Sequence, residues 1–158
     1  CMRKQFFSID SLLKDYPRDP YFLELKGQIY AENGKINEAI NAYEKALKYI
    51  DNPAPLIMLS LSNMLLEKKN DPRSYAKAKK LLNTAIALEP LNISAWRLKG
   101  ITHSKLNEEV LADLSAAEEF LIRREYKRSE YFAKKVIKNS KSETPSYVRA
   151  LDILNIVN

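Results

Sequence analysis

Of the side chains that carry catalysis by nucleophile, base or metal, this 158-residue chain has one histidine, His103, and one cysteine, Cys1. A two-histidine metal site needs a second imidazole, and a thiol nucleophile needs a base beside it, so neither residue builds a site with what surrounds it in sequence. No glycine-rich phosphate loop is present, because the chain holds only three glycines. No catalytic, metal or cofactor site is expected, and His103 reads as a packed residue. The chemistry left is charge and apolar surface. Between residues 120 and 141 stand eight basic and two acidic side chains, a surplus of +6 that equals the net charge of the whole chain. On a helix from 126 to 139, Lys127, Arg128, Lys134, Lys135 and Lys138 share one face, opposite Phe132, Ala133 and Val136. With Arg123 and Arg124 they make a basic stripe suited to an acidic protein surface or anionic lipid. Only Tyr131 offers stacking within it, so nucleic acid ranks last among its partners.

Positioning any of these falls to helices. Few glycines, abundant Leu, Ala, Lys and Glu, and seven prolines at the edges of helical patterns describe an all-α protein. At 158 residues the chain is expected to be one domain. The longest apolar run, PLIMLSLSNMLL at 55 to 66, is interrupted by polar residues and too short to span a bilayer. The N-terminus has a basic start, but Asp10 interrupts its apolar segment and no small-residue cleavage site follows, against a signal peptide. A chain beginning with Cys reads as an excised or processed piece, and one cysteine leaves the redox compartment undecided.

The stretch ELKGQIYAENGKINEAINAYEKAL, residues 24 to 47, places a glycine inside a helical pattern, where it costs about 1 kcal/mol relative to alanine. Its surroundings recur. Leu23, Gly27 and Tyr30 share one helix face; Gly34 ends that helix; Ala39, Tyr43 and Ala46 share a face of the next. A second copy puts Ser62 in the glycine slot and Leu65 in the tyrosine slot, then Ala78, Leu82, Ala85 and Pro90, with a longer turn in KNDPRS. A third has Trp96, Gly100, His103 and Ala112; a looser fourth has Ala117, Phe120, Ser129, Ala133 and Val136. Residues 108 to 123 can serve as the second helix of copy three and the first of copy four. Thr144 as N-cap and Pro145 at the first helical position open a terminal helix.

G-x-x-Y followed by A-x-x-x-Y-x-x-A-L, with Trp96 and Pro90 in place, resembles the tetratricopeptide repeat (TPR). The resemblance implies a right-handed α-solenoid of antiparallel helix pairs with about nine helices: an N-terminal helix at 4–16, repeats at 20–50, 55–89 and 92–123, and a degenerate fourth repeat with terminal helix over 109–157. More narrowly, YPRDPYFLELKGQIYAENGKINEAINAYEKAL, ALEPLNISAWRLKG, AAEEFLIRREYKRSEYFAKKVI and SYVRALDIL are similar to the C-terminal TPR domain of bacterial periplasmic zinc metallopeptidases of the β-barrel assembly-enhancing type. That likeness implies a periplasmic, non-catalytic domain recruiting substrates or outer-membrane barrel assembly components, its own protease domain being a further partner. The protease signature H-E-x-x-H cannot be built from a single histidine. The alternatives are a stand-alone cytosolic TPR adaptor and a nucleic-acid-binding helical repeat.

TPR arrays bind along the concave surface lined by first helices. Here that surface is expected to present Tyr21, Glu24, Leu25 and Gln28, then Leu56, Leu59, Asn63 and Leu66, then Arg97, Ile101 and Lys105, as a groove for a peptide or partner protein. The lysine and asparagine clamp that holds acidic chaperone tails is absent: Glu24, Gln28, Ser60, Ser94 and Leu98 fill its slots. Leu56, Leu59 and Leu66 stand opposite Met58, Leu61 and Leu65, which leaves their helix apolar nearly all round. Either this face is covered, or it is the partner groove.

Overall fold

The computed structural model describes residues 2–157, with side chains from Ser8 to Val157. Nine helices and no strand occur among the described residues: α1 (Met2–Asp15), α2 (Pro20–Glu32), α3 (Ile36–Tyr49), α4 (Pro55–Glu67), α5 (Pro72–Leu88), α6 (Ile93–Lys105), α7 (Glu109–Ile122), α8 (Tyr126–Asn139) and α9 (Pro145–Val157). The N-terminal helix, expected at 4–16, is thus set slightly earlier. Four helices begin at a proline, where the missing N–H leaves nothing unpaired. Side chains satisfy the next amides. Asp19 accepts from the Tyr21 and Phe22 N–H groups at 2.9 Å, Asp71 from that of Ser74 at 3.1 Å, and Asn92 from that of Ala95 at 3.0 Å.

The chain divides into two compact units, the boundary falling between Leu81 and Leu82 inside α5. In the first, α1 packs on α2, α2 on α3 and α3 on α4. Gly27 explains the closeness of the second of these contacts. A Cβ placed on it would lie 2.7 Å from the Tyr43 ring, well inside contact distance. That ring is itself buried, so it has no room to withdraw. Burial pushes the Tyr43 hydroxyl above the usual tyrosine range, while its hydrogen bond to Ser60 pulls the other way. Ser62, in the glycine slot of the next copy, is fully buried and donates its hydroxyl to the Met58 carbonyl at 2.7 Å.

In the second unit α7 packs against α6, α8 and α9. Ala117, Ala133, Val136, Ala150 and Ile153 form its core, with Leu114, Leu121 and Phe132 packed around them. The double role of residues 108 to 123 is visible here. Ala112 follows Gly100 at the spacing by which Ala39 follows Gly27, and Ala117 opens the same spacing again, its carbonyl accepting the buried Ser129 hydroxyl at 2.8 Å. Three acids on α7 lie inside: Asp113, Glu118 and Glu119. Each meets a cation. Lys135 Nζ is 2.6 Å from Asp113, Arg149 holds both Glu118 oxygens at 2.5 and 2.9 Å, and Arg97 and Arg123 each reach Glu119 at 3.1 Å. Buried carboxylates stay ionised at acceptable cost only when matched in this way.

One turn recurs three times. After α2, the Gly34 N–H bonds the Ala31 carbonyl and the Lys35 N–H bonds that of Tyr30, with Gly34 at φ +69°. After α6 the same pair of bonds runs from Asn107 and Glu108 to Ser104 and His103, with Asn107 at φ +58°. After α7 it runs from Arg124 and Glu125 to Leu121 and Phe120, with Arg124 at φ +60°. This closure satisfies the last carbonyls of each helix and requires a left-handed residue. Glycine adopts it most cheaply, asparagine tolerably, arginine at a cost.

Candidate functional site

In the first unit, the Asp19 cap and Pro20 fix where α2 starts, and that start leaves Tyr21 67% and Leu25 45% exposed. Gln28 is exposed and donates to Glu32 at 3.0 Å; Glu24 is half-buried. Leu25, Gln28 and Ile29 of α2 and Ser8, Ile9 and Leu12 of α1 line an apolar depression of about 470 Å³. On α4, Leu56 is 69% exposed and Asn63 is exposed, whereas Leu59 and Leu66 are buried at 8% and 4% exposure. Between the two readings of this helix, the packed one describes Leu59 and Leu66 and the outward one describes Leu56. Leu59 and Leu66 are packed side chains of the interior.

In the second unit, Arg97, Ile101 and Lys105 are exposed along α6. They border a hollow of about 570 Å³ between α6, α7 and α8, with Trp96, Phe120 and Phe132 among its walls and Gly100, Ala112 and Ala116 in its lining. Phe120 and Phe132 stack there with ring centroids 5.6 Å apart and planes 13° from parallel. The Trp96 indole N–H donates to the Pro90 carbonyl at 2.8 Å, which fixes the ring. The contributions of α7 and α8 were not anticipated from the sequence, where only first helices were expected to line a site.

The basic stripe is less available than its composition implies. Arg123 pairs with Glu119 and Glu125, Arg128 with Glu125, Lys134 with Glu130, and Lys135 with Asp113. The Arg128 guanidinium also sits 3.9 Å from the centroid of the Phe120 ring. The Asp113 carboxylate raises the Lys135 ammonium above the usual lysine range, and Arg128 with Arg123 holds Glu125 below the usual carboxylate range. Arg124, Lys127 and Lys138 are exposed. His103 is buried at 2% exposure with Nδ1 2.5 Å from a Glu108 oxygen, a packed partner of the turn that follows α6. Among the described residues no group of three or more His, Cys, Asp or Glu side chains is placed to hold a metal ion, and no helix is long and apolar enough to cross a membrane.

Residues 20–53 match the tetratricopeptide repeat family. Most of the chain is similar to the crystal structure of MamA, at 18% identity and TM-score 0.68, covering 94% of this chain and 85% of that one. It is also similar to the MamA RS-1 ArsTM double mutant, at 15% identity and TM-score 0.72, covering 98% and 86%. The fold is TPR-like. Likeness at these identities establishes architecture and leaves the ligand open. No curated protein matches the chain. The repeat match covers α2 and α3, the pair in which glycine, tyrosine and alanine slots are all filled by the expected residue types. In the second unit Gly100 and Ala112 keep their slots, whereas the tyrosine slots hold His103 and Ala116, and Ser129 fills an alanine slot.

Proposed function

We propose that this chain binds a polypeptide partner through outward side chains of its first helices. One observation carries the reading: Tyr21, Leu25 and Leu56 remain 67%, 45% and 69% exposed on helices whose other faces are packed. Large apolar side chains held in water on rigid helices are the usual anchors of a binding surface. The repeat match over α2 and α3 supports it, because such repeats serve mainly as protein-binding scaffolds. Selection of displayed peptides against the chain tests it. Peptides with micromolar Kd that lose at least tenfold in affinity on Leu25→Asp or Leu56→Asp, at unchanged melting temperature, are the expected result. Failure to select any binder, or equal binding by both variants, overturns it.

The finer reading is a recruiting domain of a periplasmic zinc metallopeptidase acting in outer-membrane protein assembly. It is supported by the sequence resemblance over residues 16–47, 87–100, 116–137 and 146–154. A segment with H-E-x-x-H in the same open reading frame, and recovery of the protein in a periplasmic fraction, are what this reading requires. A cytosolic fraction without such a segment favours the stand-alone adaptor.

A further inference from the structure

The two units treat the same position differently. In the first, Gly27 on α2 is overlaid by the ring of Tyr43, 16 residues later on α3, and both residues are buried. In the second, the matching glycine is Gly100 on α6, and the residue 16 positions later, on α7, is Ala116. No ring lies within 4 Å of a Cβ built on Gly100. A Cβ built there would meet only the Ser115 Cβ at 3.6 Å and the Ala112 carbonyl at 3.7 Å, both ordinary contacts. Where Tyr43 fills the first unit, the second has the 570 Å³ hollow, with Gly100, Ala112 and Ala116 as its small-residue lining. These three are half-exposed, whereas Gly27, Ala39 and Tyr43 are buried. The hollow opens to solvent and is larger than one ring, and a concave space of this volume with aromatic walls and a few polar groups is the usual form of a binding site.

We propose that this hollow receives an aromatic side chain of a partner polypeptide, seated against Gly100 as the Tyr43 ring is seated against Gly27. The Trp96 ring and the edges of the stacked Phe120 and Phe132 pair favour an aromatic guest over an aliphatic one. Arg97 and Asp113 at its border, held by Glu119 and Lys135, offer polar partners to a tyrosine hydroxyl or the guest's backbone. The proposal deepens the polypeptide-binding reading given above and rests on it.

The test uses the full chain and two blocked peptides, Ala-Ala-Tyr-Ala-Ala and Ala-Ala-Ala-Ala-Ala. Trp96 is the chain's one tryptophan and lines the hollow, so emission excited selectively at its absorption edge reports on occupancy. The tyrosine peptide should shift that emission saturably and move the amide resonances of Gly100 and Ala116, at a concentration at least tenfold below any response to the alanine peptide. Ala116→Tyr, which supplies the missing ring from within, should abolish the response while leaving helicity and melting unchanged or raised. Ala116→Leu fills the same space with a smaller change and replaces it if the tyrosine variant misfolds. Equal responses to the two peptides, no response to the tyrosine peptide, or a response that survives both substitutions overturns the proposal. If displayed peptides bind the wild type and also Ala116→Tyr with equal affinity, the hollow is dismissed while the module reading stands. If none binds the wild type, both fall.

Discussion

Gly27 and Arg124 are opposite answers to the same constraint, a backbone placed where side chains fit badly. At Gly27 the obstacle is the packed Tyr43 ring, 2.7 Å from any added Cβ. Gly27→Leu should therefore lower stability by about 1 to 3 kcal/mol through overpacking, read as a shift in denaturation midpoint at constant slope. A neutral result would contradict the helix register. At Arg124 the constraint is φ +60°, adopted by a residue that disfavours it. Arg124→Gly should raise stability by about 1 kcal/mol, because glycine takes the left-handed turn without strain. The same change to glycine at Lys45, exposed and well inside α3, should lower it by a similar amount. The first position was legible in the sequence, since an unexplained glycine points at a close approach. The second was not, because arginine gives no turn signal; only its place, seven residues after Ala117 as Gly34 is seven after Gly27, could have revealed it.

Among the elements, α7 combines ordinary length with an unusual interior, three carboxylates each answered by a cation from a neighbouring helix. Glu118 is 8% exposed and is held by Arg149 of α9 through two hydrogen bonds. Arg149→Met should cost about 1 to 3 kcal/mol by leaving that carboxylate buried and unanswered, and Glu118→Gln in the same chain should recover part of the loss. A loss no greater than that of Arg123→Met, which leaves Glu119 with Arg97, would show the pair contributes little. The α5 cap gives a pH signature. The Ser74 N–H, then the Ser74 hydroxyl and Lys68, hold Asp71 below its ordinary 3.8. A carboxylate with a depressed folded pKa contributes stability that is present above its ordinary value and lost as pH falls through the folded one. Asp71→Asn keeps the cap but does not titrate, so the gap between wild type and variant in urea midpoint should be constant from pH 7 to 5 and shrink by pH 3. A gap that widens toward pH 3 would reverse the sign assigned here. Helix α4 shows why sequence left two readings open: apolar residues all round its circumference give no preferred face, and only the fold tells buried Leu59 from exposed Leu56.

For the molecule as a whole, the helix count and order were legible because glycine, alanine and proline punctuate the pattern at fixed intervals. Net charge along the basic stripe does not show how it is paired: Glu125 and Glu130 lie inside it, Glu119 just before it, and only Asp113 answers from a distance, 22 positions from Lys135. The hollow was hidden for a different reason, since its signature is a ring that is missing. Repeat proteins gain stability mainly from neighbouring contacts, so a lesion in one compact unit should be felt there most. Native-state hydrogen exchange on Gly27→Leu should lose protection chiefly in residues up to 81. Uniform loss along the chain would indicate one cooperative block instead. The turn that closes α2, α6 and α7 carries a last consequence. Its left-handed residue recurs from Asn107 to Arg124 after 17 positions, and the small-residue slot recurs from Gly100 to Ala117 after the same 17. Here the phase of the pattern is preserved by a single helix rather than by a pair. That single step is what lets α7 close one helix pair and open the next, and it is taken once, since Lys134 and not a small residue stands 17 positions beyond Ala117.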